Sequence, residues 1–134
     1  MFERIDHVGI AVSELDPALA LYHDQFDCEL VHRELLDGGA MEAALVRADD
    51  GCLEFVAPLH DDTALARFLA RRGQAVHHVA YEVDDIDAAI ATLREHDVKM
   101  IDEVPRAGIH GSRVAFVHPQ SCMGVLTEIV EPAH

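Results

Sequence analysis

Hydrophobic and polar positions along this chain form one pattern that is written twice. Residues 5–12, Ile-Asp-His-Val-Gly-Ile-Ala-Val, alternate with a period of two, as a half-buried strand requires, and residues 76–83, Val-His-His-Val-Ala-Tyr-Glu-Val, do the same. Laid over each other without a gap, the two segments place His7 on His78, 71 residues further on. The register continues into the next element. Leu15, Ala18, Leu19 and Tyr22 fall on Ile86, Ala89, Ile90 and Leu93, so the i, i+3, i+4, i+7 stripe of an amphipathic helix recurs in the same phase. Later in each half, Glu54 precedes Pro58 as Glu128 precedes Pro132.

The pattern predicts a strand, a helix and several strands, then the same succession again. A strand over 5–12 leads into a helix that starts at Asp16-Pro17, a side-chain cap followed by the residue tolerated in a first turn, and runs to about residue 26. Strands follow over 29–34, 40–48 and 52–57, separated by Asp37-Gly38-Gly39 and Asp49-Asp50-Gly51, which accept positive φ. A short helix capped by Asp62 and carrying Leu65, Phe68 and Leu69 ends at Arg71-Arg72-Gly73 and joins the halves. The second half then gives a strand to residue 83, a helix over 86–95, and strands near 99–103, 113–118 and 124–130. The expected organisation is a single domain over residues 1–134, with repeats at about 3–58 and 75–132 and a joining helix at about 62–72.

Composition narrows the function classes. Ten Lys plus Arg against twenty-five Asp plus Glu give a formal charge of −15, which argues against nucleic acid or an anionic membrane as partner. Polar Glu3, Arg4 and Asp6 open the chain and no apolar run approaches the roughly 20 residues of a membrane span, so the expected location is the cytoplasm. Cys28, Cys52 and Cys122 are odd in number and lack Cys-x-x-Cys spacing, and they read as reduced structural thiols.

Strand phase selects the candidate chemistry. Val8, Ile10 and Val12 share one face of the first strand, leaving His7 with Gly9 and Ala11 on the other. In the second half, Val79, Tyr81 and Val83 share the packed face with His77, and His78 occupies the face that matches His7. Glu54 and Glu128 lie inside apolar strands, where an uncompensated carboxylate is costly to bury and a cation would remove the cost. Two His and two Glu related by an internal repeat are what a divalent metal site on a pseudo-twofold axis needs. The remaining histidines, among them His23, His32 and His96, read as surface or loop residues, while His110 and His118 flank a glycine-containing turn and a His-Pro step near a potential substrate.

Several segments together resemble the methylmalonyl-CoA epimerase family of the vicinal oxygen chelate superfamily. They are residues 5–12, Ala64-Leu65-Ala66-Arg67-Phe68-Leu69 with Arg72-Gly73, His77-His78-Val79-Ala80, and the closing runs Gly111 to Pro119 and Gly124-Val125-Leu126-Thr127-Glu128. The resemblance implies an α+β fold of two paired βαβββ modules forming a cupped mixed sheet around a metal site, in a homodimer. Carried over position by position, it makes His7, Glu54, His78 and Glu128 the metal ligands, the four residues that the repeat selects. Some family members carry Gln where this chain has Glu54, so this site would be one unit more negative than theirs. The implied cofactor is a divalent ion, cobalt first, with nickel, zinc and manganese as alternatives suited to nitrogen and oxygen donors.

The implied reaction is epimerisation of an acyl-CoA, the (R) and (S) forms of methylmalonyl-CoA, through removal and return of the α-proton. Inversion needs acid/base groups on both faces of a planar enolate, and the resemblance assigns them to Glu128 and Glu42, with Glu34 as the substitute if the alignment slips around Leu35-Leu36-Asp37-Gly38-Gly39. Two other readings stay open: a glyoxalase I-type lyase using the same ligands, and a small-molecule-binding module of the bleomycin-resistance kind.

Overall fold

The computed structural model describes residues 1–134. Its elements run β1 (Arg4–Ala11), α1 (Leu15–Phe26), β2 (Glu29–Leu36), β3 (Met41–Ala48), β4 (Gly51–Pro58), α2 (Ala64–Arg72), β5 (Ala75–Glu82), α3 (Ile86–Glu95), β6 (Arg106–Ala107), β7 (Arg113–Val117) and β8 (Thr127–Glu131). The fold is α+β, and the βαβββ succession occurs twice with α2 between. The chain divides into two compact units, residues 8–77 and residues 1–7 with 78–134, so the division cuts β1 after His7 and β5 before His78.

In the unit of residues 8–77, strands lie in the order β2-β3-β4-β1; β4 and β1 are parallel, the other pairs antiparallel. The helical stripe packs as its spacing predicts: Leu15 with Ala18, Leu19 and Tyr22 covers Ala44, Val46, Phe55 and Ala57. Phe55 is fully enclosed and meets Tyr22 edge-on at 4.8 Å. Burying such a side chain contributes about 1.5–3 kcal/mol.

Two predicted caps move. α1 begins one residue before Asp16, with Glu14 at the N-cap making no side-chain bond; Asp16 lies in the first turn, where its charge still suits the helix dipole, and accepts from Arg33 Nη1 at 2.6 Å. At α2 the cap is Thr63, whose hydroxyl accepts from the Ala66 N–H at 3.0 Å, because Thr63 and not Asp62 stands three residues ahead of that free donor.

In the other unit, the first half of β1 lies beside β5, followed by β8, β7 and β6; β5 and β8 are parallel, β8–β7 and β7–β6 antiparallel. Val83, Ile86, Ala89, Ile90, Ala115 and Ile129 form its core under α3, with Leu93 at the margin. Asp85 caps α3, accepting from the Ala88 N–H at 3.0 Å.

The strand expected near 99–103 is absent. One bridge joins Met100 to Val117, and the Phe116 N–H is taken by the Asp102 carboxylate at 2.9 Å instead of a backbone carbonyl. The Ile101 N–H still donates to the Phe116 carbonyl at 2.9 Å and the His118 N–H to the Lys99 carbonyl at 2.8 Å, so the side chain interrupts the ladder after one bridge, and Pro105, without an N–H, precedes the two-residue β6. None of the helices is long and apolar enough to cross a membrane.

Candidate metal centre and active site

Three side chains of the second unit converge on one spot. His7 Nε2 lies 3.1 Å from His78 Nε2 and 3.2 Å from Glu128 Oε1, and His78 Nε2 lies 3.9 Å from the same oxygen. All three residues are at most 5% exposed. Strand geometry brings them together: His7 is on β1, His78 on β5, and Glu128 on β8 opposite Ala80, two residues beyond His78 on its face.

The charges are unusual for an interior. Glu128 Oε1 is a fully buried carboxylate oxygen to which no group donates a hydrogen bond. Leaving such an acceptor unmade costs about 1–3 kcal/mol, more when it is ionised. A divalent cation with bonds of about 2.0–2.2 Å places its ligand atoms roughly 3–4 Å apart, which the three distances match. The donor set therefore fits a metal ion. His7 is held for ligation from behind: its Nδ1 lies 2.7 Å from Asp6 Oδ2, and since a carboxylate only accepts, Nδ1 carries the proton and Nε2 keeps its lone pair. Phe116, opposite Glu128 in the β7–β8 register, meets His78 edge-on at 5.3 Å, and the Arg106 guanidinium stacks over its ring at 5.3 Å.

The unit of residues 8–77 holds the other predicted site residues. Glu54, 5% exposed on β4, is paired with Gly9 on β1 and Leu45 on β3. Gly9 follows His7 by two residues and so shares its face of β1. Glu42 occupies a different environment. It is opposite Ala57 on β3 and alternates with Ala44 and Val46, which pack under α1. Arg33 Nε donates to Glu42 at 2.6 Å while its Nη1 reaches Asp16, and these two bonds raise the Arg33 pKa further above its ordinary value. Glu34 alternates the other way, opposite Ala43, and lies 3.0 Å from His32 Nε2.

His77 is turned from the ligand face, with its ring edge-on to Phe68 at 4.9 Å. His118 serves the backbone, its Nδ1 accepting from the Gln120 N–H at 3.0 Å. Reading the sequence misses two things here, Asp6 behind His7 and the Arg33 bridge between Glu42 and Asp16, while His32 lies in the strand expected over 29–34. Asp6 carries no signal, because alternation sends it to the face opposite His7.

A fold of repeated βαβββ units with paired histidines and a buried glutamate defines a class. The model of the Glyoxalase/Bleomycin resistance protein/Dioxygenase superfamily matches residues 6–116, and the chain belongs to that superfamily. The ethylmalonyl-CoA/methylmalonyl-CoA epimerase of Cereibacter sphaeroides is 30% identical over 131 residues, covering 96% of this chain and 98% of its own. The human mitochondrial methylmalonyl-CoA epimerase is 32% identical over 127 residues, 94% of this chain and 72% of the human protein. The structure of a Streptomyces coelicolor methylmalonyl-CoA epimerase variant in complex with 2-nitronate-propionyl-CoA is similar over 100% of both chains, with a TM-score of 0.96 and 35% identity. Within the superfamily, the chain belongs to the methylmalonyl-CoA epimerase family.

Proposed function

We propose that this protein interconverts the epimers of methylmalonyl-CoA, using a divalent cation held by His7, Glu54, His78 and Glu128. The observation that carries the reading is the buried His7, His78 and Glu128 cluster with its unsatisfied carboxylate oxygen, in a chain similar over almost its whole length to epimerases. Cobalt is the proposed metal, ahead of nickel, zinc and manganese, since the donors are nitrogen and oxygen with no thiolate. When bound, the ion supplies Lewis-acid stabilisation of the charge that develops on the thioester oxygen.

The protein's own groups do the rest. Asp6 keeps the His7 ring in the orientation and tautomer that ligation needs. Phe116 walls the site beside His78 and excludes water, which strengthens every charge interaction within. Glu128 transfers the α-proton on one face of the substrate. On the other face, the family resemblance assigns the transfer to Glu42, which would first have to leave Arg33. The working form is proposed to be a cytoplasmic homodimer.

The test is solvent deuterium incorporation at the α-carbon of methylmalonyl-CoA, followed by NMR, with metal-loaded and chelated protein compared. Metal-dependent exchange that accompanies interconversion supports the reading. Exchange no faster than the uncatalysed rate, with turnover of a hemithioacetal instead, would replace it with a glyoxalase.

A further inference from the structure

Arg33 joins two carboxylates that belong to different elements of residues 8–77. Its Nε donates to Glu42 Oε1 on β3 at 2.6 Å, and its Nη1 donates to Asp16 Oδ1 in the first turn of α1, also at 2.6 Å. The sheet register builds this bridge. Arg33 is opposite Ala44, and Leu35 is opposite Glu42. Directly paired residues project to one side of a sheet and alternate residues share it, so Arg33 and Glu42 are diagonal neighbours on one side. Ala44 packs in the core with Leu15 of α1, and the same helix carries Asp16 to the far end of the guanidinium.

The two arms of the bridge differ in strength. The Glu42 side chain is 23% exposed and that of Asp16 82%, so water screens the Asp16 arm far more. Arg33 cannot itself take up a proton from substrate, because a charged guanidinium only donates, and its bonds to Glu42 and then Asp16 raise its pKa further above the ordinary value. Proton transfer on this arm falls to Glu42, which has to part from Arg33 first.

We infer that Arg33 and Asp16 are positioning residues for proton transfer by Glu42: Arg33 holds the carboxylate between turnovers, and Asp16 keeps the guanidinium paired while Glu42 is away. This rests on the epimerase reading with Glu42 as an acid/base group. Without the Asp16 charge, release of Glu42 leaves Arg33 with neither carboxylate, so the release becomes harder. In turnover the C–H bond breaks, an O–H bond forms on Glu42, and the electron pair enters the enolate, which takes its new proton on the other face from Glu128. Protonated Glu42 has lost the charge that Arg33 binds, and it returns to the guanidinium once it has passed its proton to solvent.

The experiment measures steady-state rates for each epimer with metal-loaded wild type, Asp16→Asn, Arg33→Met, Arg33→Lys, Glu42→Gln and Asp16→Asn combined with each Arg33 variant, with metal content and melting temperature recorded. Asp16→Asn keeps an acceptor oxygen and loses the charge; it is expected to lower kcat about two- to fivefold for both epimers with KM unchanged, the scale of a screened ion pair. Arg33→Met is expected to raise kcat, because no bond to Glu42 has to break, and to make the added Asp16→Asn change silent. Arg33→Lys carries the same comparison if the Met variant does not fold, since an ammonium keeps the charge without the fork that spans both carboxylates. An unchanged kcat in Asp16→Asn, a folded Arg33→Met that is no faster than wild type, or an Asp16→Asn loss that persists in the combined variants overturns the inference. Interconversion by Glu42→Gln at the wild-type rate would remove Glu42 from the reaction and the inference with it. Failure of wild type to exchange the α-proton of either epimer would refute the epimerase reading itself, so the failures are distinct.

Discussion

Asp6 and His7 are neighbours that strand alternation sends to opposite sides, yet Asp6 Oδ2 accepts from His7 Nδ1 at 2.7 Å. The bond presets the imidazole for ligation through Nε2. Removing such a supporting carboxylate typically costs about 10–100-fold in metal affinity, so Asp6→Ala should weaken cobalt binding by that factor while leaving the melting temperature of the metal-free protein within a few degrees. Isothermal titration calorimetry measures the first effect and calorimetric melting the second. An unchanged affinity would remove Asp6 from the site.

Glu128→Gln separates stability from chemistry. The carboxylate oxygen has no hydrogen-bond donor, so replacing it with a neutral amide removes a buried charge, and the chelated variant should melt no lower than chelated wild type. Turnover should fall by about 10²–10⁴-fold, the usual worth of a proton-transfer group. A variant that turns over normally would contradict the role.

The pH dependence of stability contains a local signature. Burial against Phe68 lowers the His77 pKa below its ordinary value of 6.5. The unfolded chain therefore takes up this proton at a higher pH than the folded one, and the neutral ring's contribution is present above 6.5 and lost as pH falls through the lower folded value. His77→Phe should flatten the decline in melting temperature of the chelated protein below pH 6.5, seen in parallel melts from pH 5 to 8. A decline as steep as that of wild type would place the linkage elsewhere.

Phe55 is the largest fully buried side chain of the unit that holds α1. Phe55→Ala should cost about 3–5 kcal/mol by urea denaturation, the range for emptying such a site. A loss below about 1 kcal/mol would mean the core collapses around the gap.

Much of this molecule was legible because its periodicities are strong and repeated. The alternation around His7 and His78 separated the buried His78 from His77, and the helical stripes of α1 and α3 named their core residues. What was lost depended on partners distant in sequence. Asp16 looks like a cap until Arg33 is folded against it, and residues 99–103 look like a strand until the Asp102 side chain takes the Phe116 N–H. The side to which Glu42 and Glu34 project depends on the pairing of β2, β3 and β4, and the irregular turn at Asp37-Gly38-Gly39 hides that register from a linear reading.

The most direct test of the central claim is a titration of chelated protein with cobalt in which occupancy and epimer interconversion are read on the same samples. Activity that rises in proportion to occupancy and saturates at one ion per chain, and that His78→Ala abolishes together with binding, is the predicted result. Full interconversion by the chelated, metal-free protein would contradict it.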